Sequence, residues 1–304
     1  MRAWADKAVS ATAMMKHRMR DREVMPTPHR PGRLVQLAMT AMAVLLAGVA
    51  PAGAADRAEA VDRSALRVCA DPAGLPYSND REEGFENRIA GLLAEKLGVP
   101  VRYTWYPNSI GFLRNTLRAR RCDLVMGIVA GAELVQNTNP YYRSSYVIVT
   151  RTEDGLDIDT IEDPRLRTLR IGITAGTPPA SLAARSGLME HARPYPLYVD
   201  TRFDAPGKQM IDDLAADRID AAILWGPIAG YFARAHGDAL KITPLLREPK
   251  SARMDYYITM GVRPNETDWK NDINTLIREN QEAIHAILKE YGVPLLDARG
   301  NPVP

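Results

Sequence analysis

Apolar and polar positions along the chain switch between two periods. Leu66-Arg67-Val68-Cys69-Ala70 is a short apolar run stopped by Asp71-Pro72, which predicts a buried strand. A long polar loop with Gly74, Pro76, Ser78, Asn79 and Asp80 follows, before Phe85, Ile89, Leu92, Leu93 and Leu97 take up helical spacing closed by Gly98. Val99–Tyr106 alternates as a strand, Phe112, Leu113 and Leu117 mark a second helix, and Cys122–Ile128 reads as a third strand. Asn139-Pro140-Tyr141-Tyr142-Arg143 reads as a turn, and Ser145–Arg151 as a β-branched strand leaving this first unit.

The pattern then repeats. Leu169–Thr174 predicts a strand, Gly176-Thr177-Pro178-Pro179 a turn into a helix, Tyr195–Val199 another strand, and Met210, Ile211 and Leu214 a helix. Asp220–Trp225 predicts a strand ended by Gly226-Pro227, Met254–Val262 a returning strand, and Trp269, Ile273, Leu276, Ile277, Ile284, Ile287 and Leu288 one long amphipathic helix. Alternating strands and helices imply an α/β fold with mostly parallel sheets and right-handed crossovers. The expected architecture is two lobes, each a sheet flanked by helices, joined by two hinge crossovers over a cleft. Lobe 1 is expected at 56–148 plus 258–304, and lobe 2 at 149–257.

Charge alters the picture only through the start of the chain. Of 39 basic and 37 acidic residues, 8 and 3 fall within residues 1–55, so the remainder carries 31 and 34, a net charge of −3. A mildly acidic chain does not recommend nucleic acid as a partner. Arg30 and Arg33 precede the apolar run Leu34–Ala50, and Pro51-Ala52-Gly53-Ala54-Ala55 supplies a helix break and small residues. This predicts a Sec-type signal peptide cleaved after Ala54 or Ala55, translation from Met25, and no stable membrane insertion after cleavage. Cys69 and Cys122 both lie in the exported part, on strands expected to be neighbours; a disulfide and a pair of small buried thiols both fit.

The stretches LRVCADPAGLPYSN, GFENRIAGLLAEKLG, RCDLVMGIVAG and NPYYRSSYVIVTR, together with this element order, resemble periplasmic solute-binding proteins of family 3 with the type II periplasmic-binding fold. They are most similar to the MxaJ/XoxJ-type proteins associated with quinoprotein methanol dehydrogenases. The resemblance spans roughly Leu66 to Val293. It implies a pyrroloquinoline-quinone (PQQ) methanol dehydrogenase as partner, a role in its maturation or activation, and no cofactor of the chain's own. Amino-acid receptors of the fold carry a Thr-x-x-Arg after the third strand and an Asp after the second-lobe strand. Here those places read Ala130-Gly131-Ala132-Glu133-Leu134 and Leu224-Trp225-Gly226, without the clamp for an amino-acid ligand.

Asp71, Tyr77, Ser78, Asn79, Phe85 and Glu86, from the first strand-to-helix loop, are the candidate cleft residues, with Tyr141, Tyr142 and Trp225 as an aromatic lining. Such a mouth suits a planar or apolar small-molecule ligand, or a protruding segment of a partner, although Phe85 and the tyrosines are equally at home in a core. Gly176-Thr177 offers backbone donors at a helix start, where a turn and cap is the simpler reading. Asp80, Glu82 and Glu83 are expected to form a solvated loop rather than a cation site. His191, His236 and His285 share no motif spacing, and Glu86 with Asp71 is the one acid–base pair an enzyme could use. The reading is of a binding protein without catalysis or metal.

Overall fold

The computed structural model describes residues 63–303; the expected signal peptide and translation start lie outside them. The first half runs β1 (Leu66–Ala70), two short pairing strands β2 (Ala73–Gly74) and β3 (Ser78–Asn79), α1 (Phe85–Leu97) and β4 (Val101–Trp105). It continues through α2 (Phe112–Asn115), β5 (Leu124–Val129) and the 16-residue strand β6 (Gln136–Arg151). The second half holds β7 (Ile171–Thr174), α3 (Pro178–Arg185), β8 (Ala192–Tyr195), α4 (Pro206–Ala215), β9 (Ala221–Trp225), α5 (Gly226–Ala233) and β10 (Leu240–Pro244). The chain returns in β11 (Asp255–Val262) and ends in α6 (Thr267–Glu279) and α7 (Gln281–Glu290).

One sheet threads both halves in the order β4-β1-β5-β11-β6-β9-β7-β8, with β10 also paired to β6. β1 is parallel to β4 and β5, and β7 is parallel to β8 and β9, as the alternating pattern requires. β6 is antiparallel to everything it touches. Its first part, to Ser145, pairs with β11, and Tyr146 onward pairs with β9 and β10. Apolar side chains gather accordingly. Leu66, Val68, Phe85, Ile89, Leu93 and Ile273 belong to a core under α1, α6 and α7, whereas Ile148, Ile171, Ile223 and Leu182 belong to a separate core in the second half. The mixed α/β fold expected from sequence is the one observed.

Several elements depart from the sequence pattern for physical reasons. The expected turn at Asn139–Arg143 is strand. Pro140 sits opposite Thr259 where the register of β6 and β11 slips, so its missing N–H costs no ladder bond. Gly226-Pro227 both ends β9 and starts α5, with Pro in the first turn where no N–H is needed. The expected strand at Tyr195–Val199 lies earlier, at Ala192–Tyr195, and the second helix is a short turn ending at Asn115. The last helix is two, parted at Asn280, whose side-chain amide donates to the Leu276 carbonyl at 2.8 Å.

Two crosslinks bind β1 to the residues that lead into β5. Cys69 and Cys122 are joined in a disulfide that closes a 53-residue separation. Next to it, the fully buried Asp123 carboxylate accepts from Arg67 at 2.7 and 2.6 Å and from Arg263 at 2.5 Å. Burial alone would raise this carboxyl, but the two guanidiniums outweigh it and hold it below the usual carboxylate range. Trp269 donates its indole N–H to the Asp123 carbonyl at 3.1 Å, so the same residue anchors α6.

Reduction, or Cys69→Ser with Cys122→Ser, is expected to cost about 4 kcal/mol of unfolding free energy by the loop-entropy relation, read from denaturant midpoints. Asp123→Ala leaves two guanidiniums without their shared anion. It is expected to cost roughly 3 kcal/mol or more by the same measurement, whereas Asp80→Ala on the exposed loop should change stability by under about 0.5 kcal/mol.

Candidate functional site

The first loop folds back on the end of β1. Asp71 donates its backbone N–H to Ser78 Oγ at 3.1 Å, and that hydroxyl donates to the Asp71 carbonyl at 2.8 Å. The Asp71 carboxylate accepts from the Ala73 N–H (2.8 Å), the Asn108 N–H (2.7 Å) and Thr201 Oγ1 (2.7 Å). Thr201 belongs to the segment between β8 and α4, so one buried carboxylate ties the first half of the chain to the second. Asn79 is equally committed. Its side chain donates to Glu83 at 2.7 Å and accepts from the Glu83 N–H at 2.8 Å, while Asn87 Oδ1 accepts the Asn79 N–H at 3.2 Å. Ser78 and Asn79 are thus buried scaffolding for the loop, not lining.

Glu86, in the first turn of α1, points toward β5 and β6. Tyr141 donates its hydroxyl to Glu86 Oε1 at 3.2 Å and accepts the Gly127 N–H at 3.2 Å. Gly127 has φ +72°, which favours glycine, and a Cβ there would lie 2.6 Å from Glu86 Oε1 and displace the carboxyl. Burial pushes the Glu86 carboxyl up to about 8, with the Tyr141 hydrogen bond opposing only in part. The other titratable groups that face it are the hydroxyls of Tyr77, Tyr103 and Tyr142; among the described residues it has no ion-pair partner.

Aromatic rings surround this group. Phe85 meets Tyr77 at 5.3 Å and Tyr142 at 6.2 Å between ring centroids, and Tyr141 meets Tyr142 at 4.8 Å. Phe85, Tyr141 and Tyr142 are buried within the first core, which corrects their expected place on an aromatic lining: a helix start and a central strand press them inward. Tyr77 and Trp225 remain partly accessible. Burial raises the Tyr77 hydroxyl above its ordinary value, with Glu86 and Tyr146 adding to the rise and a hydrogen bond with Trp225 opposing it. Trp225 in turn meets Tyr146 at 5.2 Å and Tyr256 at 6.0 Å. Although Trp225 ends a second-half strand, it packs against the first-half core.

The remaining candidates are set apart. Thr177 is buried and donates its hydroxyl to the Thr174 carbonyl at 2.6 Å, closing the turn before α3. Glu83 engages Asn79 and Arg81, and among the described residues no group of His, Cys, Asp or Glu is arranged to hold a metal ion. Asp71 is engaged by three donors, one of them Thr201 from the other half of the chain. Sequence reading missed Thr201, Asn108, Tyr146 and Tyr256. The two tyrosines carried a signal in their strand positions, whereas Thr201 and Asn108 sit in loops with none.

The Glu86 carboxyl holds its proton in the folded chain up to about pH 8, but loses it near 4.5 when unfolded. The folded state therefore has full support below about pH 4.5 and loses it as pH rises toward 8. Glu86→Gln, which keeps an acceptor for Tyr141, is expected to raise stability at pH 8 by the order of 3 kcal/mol and to change little at pH 4, as read from denaturant unfolding at both pH values.

Comparison with known proteins places this arrangement. Residues 66–294 match the bacterial extracellular solute-binding proteins, family 3. Protein MoxJ of Methylorubrum extorquens is 33% identical over 282 residues, covering 85% of this chain and 92% of that protein. The crystal structure of periplasmic binding protein XoxJ from Methylobacterium extorquens AM1 superimposes with TM-score 0.65 at 41% identity, over 76% of this chain and 99% of that one. That of MxaJ from Methlophaga aminisulfidivorans MPT gives TM-score 0.65 at 26% identity, over 76% and 100%. An ancestral cationic amino acid solute-binding protein, at 20% identity and TM-score 0.61, shares the fold. The chain belongs to the bacterial extracellular solute-binding proteins of family 3, with the type II periplasmic-binding fold and of the MxaJ/XoxJ type.

Proposed function

We propose that this protein is a Sec-exported, periplasmic, non-enzymatic accessory protein that binds a PQQ-dependent methanol dehydrogenase and assists its maturation or activation. The observation that carries this reading is that the two halves are joined across the cleft by the protein's own side chains. Trp225 reaches from β9 onto the first-half core, and Thr201 donates to Asp71 at 2.7 Å. A receptor that shuts on a small solute draws its closure from contacts with that solute, whereas here side chains of the two halves already meet. The lobes are taken as 56–148 plus 258–304 and 149–257.

The last residues support the same reading. Ser144 Oγ donates to the Pro294 carbonyl at 2.6 Å, the Leu296 N–H donates to the Arg143 carbonyl at 2.9 Å, and Tyr257 donates to the Ala298 carbonyl at 3.1 Å. Gly230 of α5 lies so close to Gly292 that a Cβ would fall 1.8 Å from its carbonyl oxygen. The tail thus crosses the point where β6 passes between the two sets of strands and braces α5 against it. Nor does the segment Ala130–Leu134 supply a charged clamp for an amino acid: its backbone is engaged with Tyr257 and Asn137, and Glu133 is exposed. The mechanism proposed is that lobe faces around the cleft hold a segment of the dehydrogenase while cofactor or metal enters it.

The test is size-exclusion chromatography of the mature protein, from Asp56, with its host's methanol dehydrogenase, beside a thermal-shift panel of amino acids and small polar solutes. The expected result is co-elution, weakened by Trp225→Ala, with no solute raising the melting temperature by more than about 1 °C. Saturable stabilisation by a small solute without any complex would instead establish a transport receptor and overturn the accessory role.

A further inference from the structure

We infer that the β4 edge of the sheet and the arginines beside it form a docking surface for an extended acidic segment of another protein. The inference goes beyond the dehydrogenase reading and does not depend on it, since the partner is identified only by its chemistry.

β4 is the last strand of its sheet and is hydrogen-bonded only to β1 among the described strands. The Leu66 N–H donates to the Pro100 carbonyl at 2.9 Å and the Tyr106 N–H donates to the Ala70 carbonyl at 3.0 Å. In a parallel ladder the groups alternate, so Arg102 and Thr104 turn their backbone inward while Val101, Tyr103 and Trp105 turn N–H and C=O outward. Tyr103 and Trp105 stack at 4.4 Å between centroids with 16° between planes, which keeps this stretch regular. Edges of this kind template pairing with another chain and are ordinarily blunted by a bulge, a proline, a covering element or charge; here the device is positive charge, which turns away basic or neutral strands more than an acidic one.

Charge selects the chain that pairs. From Leu97 to Cys122 there are five arginines, Arg102, Arg114, Arg118, Arg120 and Arg121, and no acidic residue, in a protein whose mature part is net negative. All five are exposed, and Arg102, Arg114, Arg118 and Arg121 have no ion-pair partner among the described residues. Two of them are held at the edge itself. Arg102 lies on β4 in register with Arg67, and Thr104 of β4 donates its hydroxyl to the Arg121 carbonyl at 2.8 Å. Cys122, the next residue, is bonded to Cys69 of β1, so the arginine segment is stapled to the strand that β4 pairs with. Ile110, 87% exposed on the loop that leaves β4, adds an apolar contact at one end. An anionic membrane or a nucleic acid would answer the charge but not the open row of amides and carbonyls; an acidic peptide strand answers both.

The probe is a synthetic decapeptide alternating glutamate and valine, titrated into the mature protein at about 50 mM and about 300 mM salt. A peptide of equal charge with proline at the valine positions serves as the control, and vesicles containing phosphatidylglycerol are the competitor. Binding is expected at low salt, weakened about tenfold at high salt and by Arg102→Glu with Arg118→Glu and Arg121→Glu. The proline peptide should not bind, and amide exchange at Val101, Tyr103 and Trp105 should slow in the wild-type complex, a readout that needs no variant. No binding at low salt, equal binding by the proline peptide, displacement by vesicles, or unchanged exchange on β4 would each overturn the inference. Peptide binding without dehydrogenase co-elution would leave this surface standing and refute only the dehydrogenase role.

Discussion

The structure depends on one strand that serves two sets of partners. β6 gives its first ten residues to β11 and its last six to β9 and β10, so the two halves cannot be separated without breaking a continuous ladder. That constraint explains why Pro140 is tolerated at a register slip, and why the tail returns to Arg143 and Ser144, where the strand passes from one set of partners to the other. It also fixes the cleft. Tyr141 and Tyr142 face the first core, and four residues beyond Tyr142 the ring of Tyr146 faces Trp225.

The chemistry of the first loop and α1 is a consequence of burying polar groups. A carboxylate in such a place must be paired, saturated with donors, or neutral. Asp71 takes the second course with three donors, one of them from the other half, and Glu86 takes the third, with Tyr141 as its hydrogen-bond donor. Asp123, on the far side of β1, takes the first, between two arginines. Three acids of similar chemistry thus have three different roles, set entirely by what surrounds them.

The same contrast separates the two surfaces proposed for partners. The cleft proposed for the dehydrogenase is bordered by Tyr77, Tyr146, Trp225 and Tyr256, from both halves of the chain, so its use requires a partner that engages both. The β4 edge is basic and is paired only to β1 among the described strands, and a disulfide holds the neighbouring arginine segment to β1. Exported proteins can rely on such a bond, which here ties the end of the arginine segment to β1.

Much was written in local pattern. The strands β1, β5, β7, β9 and β11, helix α1 and the two-lobed α/β class follow from apolar periodicity, because side-chain burial in these elements is decided by the chain's own alternation. The absence of an arginine clamp at Ala130–Leu134 was equally plain. What the pattern misplaced were elements whose local chemistry is overruled by neighbours. Asn139-Pro140 has the residues of a turn yet is held extended by β11, and Gly226-Pro227 has the residues of a stop yet opens α5. The linear sequence determined which residues were polar, aromatic or charged and where strands begin. Only the tertiary structure decided that Phe85, Tyr141 and Tyr142 are core, that Cys69 meets Cys122, and that Thr201 meets Asp71 across 130 residues. The reason is that burial and pairing of this kind are properties of distant segments brought together, and no local spacing encodes them.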